Sequence, residues 1–229
     1  MFYGLQWDKN MKKIIITIFM FLFSALYSNA DIMPFYTNSI QYTGIGLVNF
    51  GEYNTIYEQP SLESGVIATV SYEINGVVLN HNWYQTNRIF VAFSPRARLA
   101  YAVVVDEDGS DWYNICYDQK NGKTGWIKVE NRKDFFTWKD FLDYYGRKRG
   151  IYAFRDIPAQ YKRLYSGPGE DSQVLQSFDY ARHIYLKKVT GNWVLVTLED
   201  LQNKTKIGWL KWRTIDGKLY YFPSIQETF

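Results

Sequence analysis

The chain has 229 residues with 26 basic and 23 acidic side chains, so its formal net charge is only +3. Three of the basic residues and one acid precede residue 31, which leaves the remainder nearly neutral. This balance excludes the basic surface that marks nucleic-acid-binding proteins. Cys116 is the only cysteine, which excludes an internal disulfide. We therefore expect the 8 Trp, 20 Tyr and 15 Phe to stabilise the fold by apolar packing.

The first 30 residues are typical of a secretory signal peptide. Lys12 and Lys13 precede an apolar run at 14–27, and the small residues Ser28 and Ala30 come just before the predicted cleavage position. The alternative is an anchoring helix, but the run of about 14 residues is shorter than the roughly 20 that span a bilayer. We expect translation from Met11, with residues 1–10 upstream, and an exported chain that spans no membrane after cleavage. Periplasmic and extracellular destinations fit equally well.

Two pairs of similar blocks occur beyond residue 30 in the same order. Residues 53–67, YNTIYEQPSLESGVI, match residues 161–175, YKRLYSGPGEDSQVL. Farther on, 112–128 matches 193–211, each opening with Trp and closing with Gly-Trp, an apolar residue and Lys. Such self-similarity predicts two copies of one fold. The first copy holds about 27 extra residues by this logic, at about 72–98, which either decorate the fold or carry its specificity.

The remaining pattern is mostly β. Short segments rich in β-branched and aromatic residues alternate with Gly, Asn and Asp, as in the strands of small β domains. Asn75-Gly76 predicts a hairpin inside the insertion, and Asn121-Gly122 predicts another tight turn. Asp216-Gly217 predicts a last hairpin over 212–222. The strands are predicted at 46–50, 99–105, 112–116, 125–128, 184–189, 193–198 and 208–212.

One helix interrupts this pattern at 134–149. Trp138, Phe141, Leu142 and Tyr145 have the spacing i, i+3, i+4, i+7, which forms one apolar stripe. Thr137 or Asp134 can cap its start, and Gly146 or Gly150 can end it. We expect this helix to join the two copies by packing against them. A partner-binding helix is the less favoured alternative, because such stripes are usually buried in their own chain.

The order of these motifs resembles the bacterial SH3-like domain, a small β-barrel of exported bacterial proteins. The resemblance covers most of the chain beyond residue 30. It implies two tandem SH3-like barrels, at 45–130 and 151–222, joined by the helix. The residues that carry the resemblance are Ile56–Pro60, Ser64–Ile67, Asp111–Ile115 and Gly125–Ile127 in the first copy, and Leu164–Pro168, Ser172–Leu175, Gly191–Val196 and Gly208–Leu210 in the second.

The resemblance also implies a candidate binding groove. In SH3 folds the proline-containing loop and a Trp form an aromatic groove for extended ligands. The corresponding residues here are Tyr165, Pro168 and Trp193 in the second copy, and Tyr57, Pro60 and Trp112 in the first. The alternative for these aromatic residues is ordinary barrel packing. We expect the second copy to be the better candidate, because no insertion interrupts its loops.

Catalysis finds little support in the sequence. His81 and His183 are the only histidines, and a Cys–His pair would require one of them beside Cys116. We see no metal spacing, phosphate loop or cofactor motif. The sequence therefore predicts an exported, non-enzymatic binding module for cell-envelope material, either peptidoglycan peptide or an envelope protein. The alternatives are an assembly protein that docks a partner through an aromatic surface, and a small hydrolase that uses Cys116.

Signal processing is directly testable. We expect the exported protein to begin at Asp31, because Ser28 and Ala30 are small at the positions that signal peptidase recognises. Intact-mass measurement on protein recovered from the exporting host gives the answer. A mature chain that retains Phe21 would refute the assignment.

Overall fold

The fold is mainly β, with 51% strand and 12% helix, which confirms the mainly β class predicted from the sequence. The computed structural model describes residues 31–32, 43–154 and 157–226. The predicted signal peptide lies outside the described residues. The described residues between Ile32 and Ile225 belong to one compact unit. No helix in the described part of the chain is long and apolar enough to cross a membrane.

Nineteen strands are present in the described residues. Those up to the central region are β1 (Asp31–Ile32), β2 (Gly46–Asn49), β3 (Tyr53–Tyr57), β4 (Val66–Glu73), β5 (Gly76–Leu79), β6 (Asn82–Tyr84), β7 (Phe90–Ser94), β8 (Leu99–Glu107), β9 (Trp112–Asp118), β10 (Lys123–Lys128) and β11 (Phe135–Thr137). The later ones are β12 (Ile151–Ala153), β13 (Arg163–Tyr165), β14 (Val174–Ser177), β15 (His183–Thr190), β16 (Trp193–Glu199), β17 (Thr205–Lys211), β18 (Tyr221–Pro223) and β19 (Ile225–Gln226).

The two copies have the same strand order. In the first, β8, β9, β10, β3 and β4 are neighbours within a ten-stranded sheet, and in the second, β15, β16, β17, β13 and β14 form a five-stranded sheet. Tyr57 pairs with Trp126, and Tyr165 pairs with Trp209. The repeated motifs therefore lie on equivalent strands, as their order in the sequence predicts. Strand pairing leaves the described sheets open, and none closes into a barrel.

The local geometry of the copies also matches. The pairing register shifts between Ile56 and Tyr57 in the first copy and between Leu164 and Tyr165 in the second, so each has a bulge at the same place. A Cβ at Gly125 would lie 2.4 Å from the Ile56 side chain, and one at Gly208 would lie 3.0 Å from Leu164. A side chain at Gly125 would force Ile56 to shift, and one at Gly208 would press on Leu164, because the neighbouring strand passes close to the backbone.

A further pair of strands frames each copy. In the first copy β2 pairs with β11, and in the second β12 pairs with β18. This corrects the hairpin predicted over 212–222: the turn at Asp216-Gly217 forms, but only an isolated bridge joins Arg213 to Leu219. Tyr221–Pro223 instead pairs with the strand that opens the second copy, because its apolar side chains are buried there.

The predicted insertion is partly built into the core of the first copy. The Asn75-Gly76 hairpin forms, and β5 and β6 extend the sheet beyond β4. A short helix, α1 (Thr86–Ile89), then leads into β7, which pairs with β8. Phe90 is fully buried and contacts Phe50 and Tyr72 edge to face. The second half of the insertion therefore contributes packing, and from its first half Val77 is also buried in the core, whereas β6 lies at an exposed edge.

The predicted helix is present but begins at Trp138 rather than at 134. An α-helical turn at Trp138–Phe141 continues as a π-helical stretch at Leu142–Gly146 and a last turn at Arg147–Arg149. We call 138–149 the central helix. The Thr137 hydroxyl caps its start by accepting from the Asp140 N–H at 3.2 Å. The late start results from pairing, because 135–137 forms strand β11 and 132–134 forms a 3-10 turn.

The central helix packs between the first and the second copy. Phe141 contacts Tyr101 of the first copy, with ring centroids 5.0 Å apart, and Phe222 of the second at 5.6 Å. Trp138 packs on Trp212 at 5.7 Å. The two copies thus share one hydrophobic core, and a second core, around Ile56, lies inside the first copy alone.

The shared core makes Phe141 a sensitive position. The side chain has no exposed area, so Phe141→Ala should lower the free energy of unfolding by about 3–5 kcal/mol. Lys139→Ala on the solvent face removes only an exposed ion pair with Asp143 and should cost less than about 0.5 kcal/mol. Denaturant unfolding of both variants makes the comparison. Equal, small losses would mean that the helix does not dock.

Candidate functional site

The predicted site residues form one edge-to-face pair in each copy. The rings of Tyr57 and Trp112 lie 5.4 Å apart at 83°, and those of Tyr165 and Trp193 lie 5.2 Å apart at 83°. The ring contact follows from the strand order. A single strand, β10 in the first copy and β17 in the second, separates the strand that carries each Tyr from the strand that opens with the Trp. Edge-to-face contact is the favoured geometry of aromatic rings.

Exposure separates the two members of each pair. Trp112 and Trp193 expose only 8% and 9% of their surface, so the indoles mainly pack inside the fold. Tyr57 and Tyr165 are half-buried and retain an accessible side. Pro60 is half-buried, and Pro168 is exposed. Ordinary packing therefore describes the two Trp residues better than a role as the wall of an open groove.

The first copy has a surface depression of about 390 Å³ beside its Tyr. Its walls include Phe50, Tyr53, Tyr57, Leu62 and Asp134, and we call it the Tyr53 groove. Tyr53 and Leu62 are 63% and 62% exposed, so both side chains present most of their surface to solvent beside the groove. The groove thus offers aromatic and aliphatic surface that nothing else in the described chain covers.

Charges of both signs border the Tyr53 groove. Lys128 lies at one wall, and Glu130 and Asp134 lie at another. Burial raises the pKa of Asp134, because removal of water disfavours the charged carboxylate. The groove therefore combines aromatic and aliphatic side chains with polar and charged groups, a mixed lining that suits a side chain or peptide.

The second copy has the same framework at this place. Tyr161 stands where Tyr53 stands in the first block, and Lys211 stands where Lys128 closes the last. The Lys211 ammonium lies 5.8 Å from the centre of the Tyr161 ring, just as Tyr53 and Lys128 line one groove. The two tyrosines thus correspond in sequence and in the lysine near each of them, although Tyr53 opens β3 whereas Tyr161 ends a 3-10 turn before β13.

The second copy nevertheless fills this place with its own side chains. The Tyr220 ring stacks on Tyr161 with centroids 3.9 Å apart and an interplanar angle of 25°. The Tyr221 hydroxyl donates to the Tyr161 carbonyl oxygen at 3.0 Å. A hydrogen bond between the hydroxyls lowers the pKa of Tyr161, whereas burial raises the pKa of Tyr220. Tyr220 directly precedes β18, and Asp134 directly precedes its equivalent, β11.

A second difference lies in the proline-containing loop. Glu170 of the second copy forms an ion pair with Lys211, and the aligned residue of the first copy is Leu62. Leucine cannot pair with Lys128, so this loop presents an apolar surface instead. The sequence favours the second copy as the candidate site, because no insertion interrupts its loops. The open groove lies instead in the first copy.

The structure offers no support for the Cys–His alternative. Cys116 is fully buried, and burial raises the pKa of its thiol to about 11. His81 and His183 are both exposed, and His183 lines a separate depression of about 440 Å³ that Cys116 does not line. Within the part of the chain that the structure describes, no three His, Cys, Asp or Glu side chains cluster so as to hold a metal ion.

Sequence reasoning missed Tyr53, Leu62 and Asp134. A signal for Leu62 was present, because the aligned blocks place it opposite Glu170. No such signal exists for Asp134, since its counterpart Tyr220 lies beyond the repeated blocks. Comparison with known proteins adds no assignment: no protein-family model and no curated protein sequence matches the chain.

The exposed fractions of Trp193 and Tyr53 predict a large and a small effect on stability, respectively. Trp193→Ala should lower the free energy of unfolding by about 3–5 kcal/mol, because it leaves a large cavity. Tyr53→Ala should cost less than about 1 kcal/mol, because the ring is mostly in solvent. Denaturant unfolding followed by circular dichroism measures both. A stable Trp193→Ala protein would return the indole to the candidate site.

The Cys116 thiol should be unreactive in the folded protein. Thiolate is the nucleophilic form, and a pKa near 11 keeps the group protonated at neutral and mildly alkaline pH. A colorimetric thiol reagent should therefore label no cysteine in buffer and one per chain in concentrated guanidinium chloride. Rapid labelling without denaturant would contradict the buried position.

Proposed function

We propose that the chain is an exported, non-enzymatic binding protein built from two SH3-like repeats that the central helix joins. Its ligand is cell-envelope material, either a peptidoglycan peptide or an envelope protein, met in the periplasm or outside the cell. Export rests on the signal-like segment at 1–30. The assignment to SH3-like repeats is supported by the matching strand order, bulges and Tyr–Trp pairs of the two copies.

The observation that carries the binding role is the Tyr53 groove. SH3-like folds bind extended ligands between a proline-containing loop and aromatic side chains. In the first copy, Tyr57 and Leu62, two residues after Pro60, line a depression with exposed aromatic surface. A groove of about 390 Å³ has the volume of a site for one or two side chains.

A non-enzymatic role agrees with the chemistry of the described residues. The only thiol is buried, with its pKa raised to about 11, whereas both histidines lie on the surface. Catalysis by a nucleophile requires an adjacent base and an orienting third group. Binding requires only the groove.

An exposed face of the second sheet favours the assembly protein as second candidate. Tyr185, Thr197 and Ile207 lie side by side on three paired strands. Tyr185 and Ile207 are 42% and 63% exposed. Apolar side chains in a row on an exposed sheet are a candidate docking surface for another protein.

An envelope pull-down tests the proposal and separates the two candidates. Mature protein should be captured by purified envelope material, and Tyr53→Ala should reduce capture at least fivefold, since the groove loses its main ring. Tyr180→Ala, which removes an exposed ring outside the groove, is the matched control and should bind like the parent.

A variant on the exposed face of the second sheet tests the assembly role. If Ile207→Ser abolishes capture and Tyr53→Ala does not, the assembly role is the better assignment. If neither peptidoglycan nor envelope protein captures the parent, the envelope-binding proposal fails.

A further inference from the structure

The two copies of the fold differ at one place in a way that indicates what the first copy binds. In the second copy a stacked tyrosine ring, Tyr220, covers Tyr161. In the first copy the equivalent Tyr53 is 63% exposed. The chain thus contains both a filled and an open version of the same site.

The exchange of Tyr220 for Asp134 accounts for the opening. Each residue directly precedes the last strand of its copy; Tyr220 stacks on Tyr161, and Asp134 lines the same depression as Tyr53. The carboxylate is much smaller than a phenol ring and leaves the face of Tyr53 uncovered. Leu62 in place of Glu170 then removes the ion pair that holds the loop over this position in the second copy.

We propose that the Tyr53 groove binds a tyrosine side chain presented by an envelope protein. This inference rests on the proposed function and narrows its ligand to a protein segment, since peptidoglycan stem peptides carry no aromatic side chain. The bound ring stacks on Tyr53 as Tyr220 stacks on Tyr161. Its hydroxyl reaches polar groups at the rim, among them Asp134, which a buried phenol requires.

The position of the backbone limits how the ligand enters. Asp134 lines the groove, and the strand that follows it, β11, is held in place by its pairing with β2. A ligand therefore enters from the solvent side with one ring, and its own backbone runs past Leu62. A tyrosine in an extended segment satisfies this geometry.

The chain itself supplies the probe. A synthetic peptide of residues 217–224, GKLYYFPS, carries the segment that fills the second copy. It should shift backbone NMR signals at Tyr53, Leu62 and Asp134 of the mature protein. The same peptide with Tyr220→Ala should bind at least fivefold more weakly. Absent shifts at millimolar peptide, or equal binding of both peptides, would overturn the inference.

Three variants of the protein test the inference further. Asp134→Tyr places a ring where Tyr220 stands in the second copy, so it should close the groove and abolish peptide binding. Asp134→Asn keeps the space and should retain binding within about threefold, as expected when one rim contact weakens. Tyr53→Ala should lose binding with its fold intact, which keeps the inference falsifiable if Asp134→Tyr does not fold. Undiminished peptide binding by folded Asp134→Tyr would refute it.

The remaining outcomes distinguish other occupants and the proposed function itself. A dimer in light scattering that Asp134→Tyr converts to a monomer would identify a second copy of the chain as the occupant and overturn the inference. Capture by envelope material that Asp134→Tyr does not reduce would also overturn it, while leaving the envelope-binding function intact. Peptide binding at the groove without envelope capture would support the tyrosine site and refute the envelope function.

Discussion

The apolar stripe of the central helix is the contact on which the arrangement of the two copies depends. Phe141 contacts Tyr101 of the first copy and Phe222 of the second, and Trp138 packs on Trp212 of the second, so that one core includes side chains of both copies. Close-packed interiors transmit changes in volume. A truncation in the helix therefore affects both copies at once, which distinguishes this molecule from two independent domains on a flexible linker.

This shared core makes the two copies unequal. Val103 and Cys116 of the first copy face the shared core and are fully buried. Their counterparts in the second copy, Tyr185 and Thr197, lie on the outer face of its sheet. The first copy is thus covered on both faces, while the second keeps one face open. Cys116 is in this view a packing residue, which explains why a cysteine is tolerated there without a partner.

The sequence predicts the elements well, because their signals are local. Strand alternation, the Asn75-Gly76 turn and the stripe from Trp138 to Tyr145 each lie within a few residues of chain. The shared core and the start of the helix at 138 depend on pairing between segments far apart, as when 135–137 joins β2. The roles of Trp193 and Tyr53 were not separable by sequence, since an aromatic residue packs or protrudes according to what lies above it.

The filled site of the second copy explains why only one copy is available to an external ligand. Tyr220 is attached to the same chain as Tyr161, so its ring meets the site at an effective concentration that a free ligand seldom reaches. It is also held by β18, which pairs with β12. The first copy has no such competitor, because Asp134 cannot stack. A single ring contributes only about 0.5–1.5 kcal/mol beyond its buried area, so a lasting attachment requires further contacts beside the groove, for which the loop at Pro60 is the nearest surface.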